Sequence, residues 1–257
     1  MIRSGLFLFV LLFYLAHPLG AQKFWLTTYE FPGGPKTGIS GVGDTCLIAG
    51  LTNGVLRSFD EGRNWDTVLT SLSIFSVHAT PQGIVLAGGR GEIYYSNDMG
   101  TTWDSIRFPH LFPFVEFAHN DRGELFAISG ELDLFNGFVG DGVYFSSDNG
   151  HSWTPRNQGL DPYLSCMQIA IDRNGRLYVA VNDESISGKG GLFISEDKGM
   201  SWQHVDILVD GKGVIENFVE VEHATGLSIS PDDSIHNQRF WRNGQRADPA
   251  QPQQEHP

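Results

Sequence analysis

The chain is predicted to be an all-β propeller built of four-stranded antiparallel blades. Three observations carry that prediction. First, the pattern Ser-x-Asp-x-Gly-x-x-Trp occurs four times, at Ser58, Asp60, Gly62 and Trp65, at Ser96, Asp98, Gly100 and Trp103, at Ser146, Asp148, Gly150 and Trp153, and at Ser195, Asp197, Gly199 and Trp202. Second, successive serines stand 38, 50 and 49 residues apart, which is the length of one propeller blade. Third, short apolar stretches recur at matching offsets, so a repeat reads strand, strand, strand, turn, strand.

The first blade spans about 36–70, with strands at Cys46-Leu-Ile-Ala and Gly54-Val-Leu-Arg before its turn. The second, about 71–107, has Ile74-Phe-Ser-Val, Ile84-Val-Leu-Ala and Glu92-Ile-Tyr-Tyr. The third, about 108–157, has Phe114-Val-Glu-Phe, Leu125-Phe-Ala-Ile and Gly142-Val-Tyr-Phe. The fourth, about 158–207, has Cys166-Met-Gln-Ile, Leu177-Tyr-Val-Ala and Gly191-Leu-Phe-Ile. A partial blade follows over 208–235, where Gly226-Leu-Ser-Ile reads as an inner strand. Residues 23–30 resemble the stretch after a turn and are expected to supply an outer strand that covers an exposed edge. The propeller domain is thus 22–235. Residues 236–257 have no alternation and the composition of a disordered tail.

Residues 1–21 read as a secretory signal. Arg3 gives the positive start, Leu6 to Ala16 the apolar run, and Leu19-Gly20-Ala21 the small residues before cleavage. The run is too short for a comfortable membrane span. The expected location is therefore secreted, periplasmic or cell-surface, without stable membrane insertion. A formal net charge of −13 argues against nucleic acid as a partner. Cys46 and Cys166 are the only cysteines. They fall on apolar strands of different blades, so two buried free thiols are expected rather than a disulfide.

The fixed residues of the repeated pattern have physical reasons. The aspartate and serine accept backbone hydrogen bonds in a tight turn. The glycine takes positive φ, where a Cβ would clash. The tryptophan opens the next strand and buries its ring between sheets. These turns resemble the Asp-box, or BNR, repeats of sialidase-type propellers, a group that includes sialidases, the sortilin ectodomain, xyloglucan-cleaving hydrolases and photosystem II assembly factors. The resemblance covers roughly residues 36–207. It implies fold strongly, and function weakly, because the group mixes enzymes, receptors and assembly factors. Four blades and a part of a fifth admit two readings. One is a truncated or frame-shifted piece of a longer propeller. The other is a small ring, or one completed by a partner. An unclosed propeller is expected to expose an apolar flank and self-associate.

The resemblance further implies that box turns occupy one face and ligands the other. That second face is built from the loops joining second and third strands and from the connections between blades. Two of these loops are long: 130–141, with Glu131, Asp133, Phe135 and Phe138, and 182–190, with Asp183 and Glu184. The connections carrying His110 and Phe112, and Asp161 and Tyr163, are expected beside them. Aromatic rings among polar groups suit a glycan or an extracellular protein, and the carboxylates suit calcium, although no cofactor is required. Sialidases use an arginine triad beginning in an Arg-Ile-Pro motif, with a tyrosine nucleophile. This sequence has no Arg-Ile-Pro. Nor does it carry a nucleophile elbow, a phosphate loop or a His-Glu-x-x-His motif. A non-catalytic binding or scaffold module is therefore expected, with a glycoside hydrolase of sialidase-like ancestry as the alternative.

Overall fold

The computed structural model describes residues 36–43, 46–133, 137–161, 164–181, 191–205, 227–229 and 235–237. Residues 1–21, expected to be a signal, residues 23–30 and the end of the chain after 237 lie outside these. Sheet one runs in the order β1 (Lys36–Val42), β2 (Cys46–Leu51), β3 (Gly54–Ser58), β4 (Asp66–Thr70). Sheet two is β5 (Ser76–Ala79), β6 (Val85–Gly88), β7 (Glu92–Ser96), β8 (Asp104–Arg107). Sheet three is β9 (Phe114–His119), β10 (Leu125–Asp133), β11 (Gly137–Ser146), β12 (Thr154–Pro155). Sheet four is β13 (Cys166–Ile171), β14 (Leu177–Val181), β15 (Gly191–Ser195), β16 (Gln203–Val205). A hairpin of β17 (Leu227–Ile229) and β18 (Ile235–Asn237) follows, with β17 against β13. Its second strand continues two residues past the point where the sequence pattern ends.

All neighbours within a sheet are antiparallel, and the described residues contain no helix. First strands of consecutive sheets lie side by side, β1 to β5 to β9 to β13. Among the described residues the result is a row of propeller blades that is not closed into a ring.

Alternation explains why the sheets stack. β6 is buried along its whole length. Its Val85 and Ala87 enter the seam with sheet one, whereas Leu86 enters the seam with sheet three, as a two-residue side-chain period requires. Cys46, Ile48 and Val55 meet Ile74, Val85 and Ala87 in the first seam. Ile93 and Leu86 meet Phe114, Phe117 and Tyr144 in the second. Phe126, Ile128 and Val143 meet Ile169, Val179 and Phe193 in the third. The cysteines occupy different seams, buried and free. On the outer face of sheet one, Ile39, opposite Ala49, is 65% exposed. Ala49 and Leu56 on sheet one, and Tyr178, Ala180 and Leu192 on sheet four, are all buried.

Each repeated turn lies between third and fourth strands and is closed by the same bonds. In the second, the Ser96 hydroxyl donates to Asp98 Oδ1 at 2.7 Å and accepts from the Gly100 amide at 2.8 Å. Asp98 then accepts from the Thr102 amide at 2.8 Å and, through Oδ2, from the Thr102 hydroxyl at 2.7 Å. Asn64, Ser152 and Ser201 repeat that last contact in the other turns. Donors from the backbone and side chains around them hold Asp60 and Asp98 down at about 2. All four glycines have positive φ, as expected, between 78° and 88°. The residue before each is left-handed too: Glu61, Met99, Asn149 and Lys198 have φ of 55–62°.

The tryptophans depart from expectation. Of the four tryptophans in the repeated turns, only Trp202 is buried between sheets. Trp103 and Trp153 are partly buried at the margins of their seams, and Trp65 is partly buried as well. The first three donate their indole N–H to the glycine carbonyl of their own turn, which keeps the ring near the surface. Trp202 donates instead to Arg156 O of the preceding sheet, at 2.8 Å.

Candidate binding face

Antiparallel strands place the second-to-third turns and the inter-sheet connections at the end opposite the box turns. At this end the stretch 130–141 is a hairpin arm rather than a loop. β10 and β11 run on to Asp133 and Gly137, with Glu131 opposite Val139 and Leu132 opposite Phe138. A register shift between Ser129 and Glu131 marks where the arm leaves the plane of the blade. Gly130 and Gly140 let the incoming segment of sheet four pass close by. A Cβ on Gly130 would stand 2.5 Å from Cys166 O, and one on Gly140 2.5 Å from Leu164 O. Pro155 ends the two-residue β12, because it has no N–H to continue the ladder. The exposed β11 edge is instead satisfied by Asn157, which accepts from Val143 N and donates to Asp141 O, both at 2.8 Å.

Opposite residues in the arm share a face, so Glu131 and Asp133 face one way and Leu132 and Phe138 the other. Glu131 accepts two hydrogen bonds of 2.7 Å from Arg90 Nη1 and Nη2. Arg90 also donates to Leu111 O at 3.1 Å and lies 5.3 Å from the centre of the Phe75 ring. The hydrogen-bonded Glu131 carboxylate pushes the Arg90 guanidinium further up, with Asp133 adding to the effect. Beside this pair, His110 Nδ1 lies 2.6 Å from Asp141 Oδ1, and the Phe112 ring is 5.9 Å from the imidazole. Asp161 is exposed at the start of sheet four's approach.

The structure therefore brings together His110, Phe112, Glu131 and Asp133, with Phe138 on the arm's reverse face. Phe135, Tyr163, Asp183 and Glu184 lie outside the described residues. Arg90 and Asp141 are site residues that sequence reasoning did not select. Arg90 had one signal, a bulky cation in the otherwise all-glycine turn Gly88-Gly-Arg-Gly91.

Both Glu131 oxygens are engaged by one guanidinium. Among the described residues no hydroxyl or thiol hydrogen-bonds His110, and no group of three or more His, Cys, Asp or Glu is arranged to hold a metal ion. Burial, with Asp141 nearby, pushes the Tyr144 hydroxyl up to about 12.

No family model matches the chain. YkuO of Bacillus subtilis (strain 168) is 33% identical over 84 residues, which is 32% of this chain and 26% of YkuO. Among solved structures, the extracellular domain of BT4673 from B. thetaiotaomicron superposes with a TM-score of 0.61 at 13% identity, over 84% of this chain and 27% of that one. An ancestral GH74 enzyme gives 0.52 at 18% identity, over 73% and 26%. YCF48, bound to a D1 peptide, gives 0.50 at 18% identity, over 71% and 58%. These likenesses establish the β-propeller fold. The chain spans between about a quarter and three-fifths of the length of each of these proteins.

Proposed function

We propose that the chain is an Asp-box propeller module, exported by its leader, that binds a glycan or an extracellular protein through the face opposite its box turns. The Arg90–Glu131 pair carries this reading. It joins the turn of sheet two to the arm of sheet three and presents a pre-organised polar centre flanked by His110, Asp141 and Phe112. A pre-organised surface pair lowers the ordering cost of binding a partner. That a peptide-bound protein and a BT4673 extracellular domain share the fold is compatible with this reading. No helix among the described residues is long and apolar enough to cross a membrane.

The GH74 likeness keeps hydrolysis as the second reading. The test is to measure retention on immobilised oligosaccharides and peptides alongside turnover of chromogenic glycosides. Binding without turnover, weakened about tenfold by Arg90→Ala (roughly 1.4 kcal/mol), is the expected result. Turnover abolished by Glu131→Gln or Asp133→Asn would replace the binding reading with the hydrolase.

A further inference from the structure

We infer that the ligand of this face is a polypeptide segment carrying apolar side chains and a lysine or arginine, rather than a sugar. This rests on the reading that the loop face binds, and it selects the ligand class. The Gly88–Gly91 turn of sheet two is stitched between two inter-sheet connections: Phe75 N donates to Gly88 O at 2.7 Å, and Gly91 N donates to Phe112 O at 2.8 Å. Each connection lifts one leucine into solvent. Leu72 is 86% exposed and Leu111 is 69% exposed. Ser73, next to Leu72, has a φ of 65°, a conformation few non-glycine residues adopt. Its amide donates to Thr52 O at 2.7 Å, which fixes the loop that holds Leu72 out.

The aromatic rings of the face are differently placed. Among the described residues, Phe75, Phe112 and Phe138 are partly buried, and the Tyr94 hydroxyl is bonded to Glu92 and Ser71. A pyranose ring is held by an open, flat aromatic face together with hydrogen bonds along its rim. Methyl-tipped leucines offer neither. They are the side chains that an apolar residue of another polypeptide would cover.

Charge decides the rest of the ligand. Among the described residues at this end, the carboxylates Glu92, Glu131, Asp133, Asp141 and Asp161 outnumber the cationic residues Lys36, Arg90 and Arg107, and Asp141 is paired with His110. A cationic side chain reaching over the leucines would restore the balance, and an anionic one would be repelled.

The test is selection of phage-displayed random dodecapeptides on the full-length protein, followed by anisotropy titration of the recovered peptides. We expect recovered sequences enriched in Lys or Arg and in large apolar residues. Their dissociation constants should rise at least tenfold on Leu72→Ser with Leu111→Ser, and rise with salt. Both substitutions are at solvent-exposed positions, and an unchanged circular-dichroism melting curve checks that the fold is intact. Recovery of Asp- or Glu-rich peptides, or of peptides indifferent to the leucine substitutions, would overturn the inference. So would recovery of no peptide at all. Oligosaccharide binding lost in Arg90→Ala, with no peptide recovered, would overturn this inference and leave the binding face standing. Failure of every ligand to depend on Arg90 or the leucines would remove both.

Discussion

At the scale of single residues, the box turns show how a short pattern encodes a complete set of bonds. Serine both donates and accepts within four residues, and aspartate collects donors from the position two before the next strand's first ladder pair. The residue preceding tryptophan is Asn64, Thr102, Ser152 or Ser201, and its side chain closes the turn every time. That regularity was open to inspection in the sequence but lay between the residues that define the pattern. The buried Ser96 hydroxyl serves three partners. Ser96→Ala should therefore cost about 1–3 kcal/mol, the usual penalty for stranding buried polar groups, measured by urea denaturation. Loss below a few tenths would mean that water replaces the hydroxyl.

At the scale of elements, strand identity was legible where apolar residues alternate, and illegible in the arm. Residues 130–141 are rich in glycine and carboxylates and have the composition of a loop. They become strand because Glu131, Leu132 and Asp133 find partners in Val139, Phe138 and Gly137, a pairing that composition does not reveal. The arm's position depends on bare backbone at Gly130. Gly130→Ala should shift the arm against Cys166 and destabilise the protein by about 1–3 kcal/mol. Gly41→Ala is the control. Its Cβ would meet only ordinary contacts, the nearest at 3.7 Å, so its stability should stay within about 0.5 kcal/mol of the parent or rise. Thermal denaturation of both variants checks the difference.

At the scale of the whole molecule, polar links between first strands join the blades. Ser40 Oγ accepts from Ala79 N at 2.9 Å, His78 Nε2 lies 2.8 Å from His119 Nδ1, and Glu116 Oε2 accepts from Ile169 N at 2.7 Å. Two imidazoles that close share one proton and cannot both be cationic. Burial, and then the proximity of His119, lowers His78 to about 4, whereas burial raises Glu116 to about 7. The two groups act in opposite directions. The histidine contribution is present above the unfolded value of about 6.5 and is lost as pH falls towards 4. The glutamate contribution is present below about 4.3 and is lost as pH rises through 7. The two contributions run across nearly the same window, from about pH 4 to 7, and offset each other there. His78→Gln should therefore make stability fall from pH 4 to 7 by about 3 kcal/mol more than in the parent, and Glu116→Gln should make it rise instead. Denaturation midpoints between pH 4 and 8 measure both, and an unchanged pH dependence in His78→Gln would place the histidine effect elsewhere.

By itself the sequence determined the blades, because a period of repeated turns and a two-residue alternation are local properties, written into neighbouring residues. It also pointed to the face where Glu131 and His110 lie. What only the tertiary structure decided is which side chains meet there. Arg90 and Glu131 are 41 residues apart, as are His78 and His119, and His110 and Asp141 are 31 apart. The first two pairs come from consecutive sheets, and the third joins the connection between sheets two and three to β11, so each contact exists only once these distant segments are brought together. Stacking is driven by non-directional burial of apolar faces, so the polar meetings at its edges leave no periodic trace in the chain.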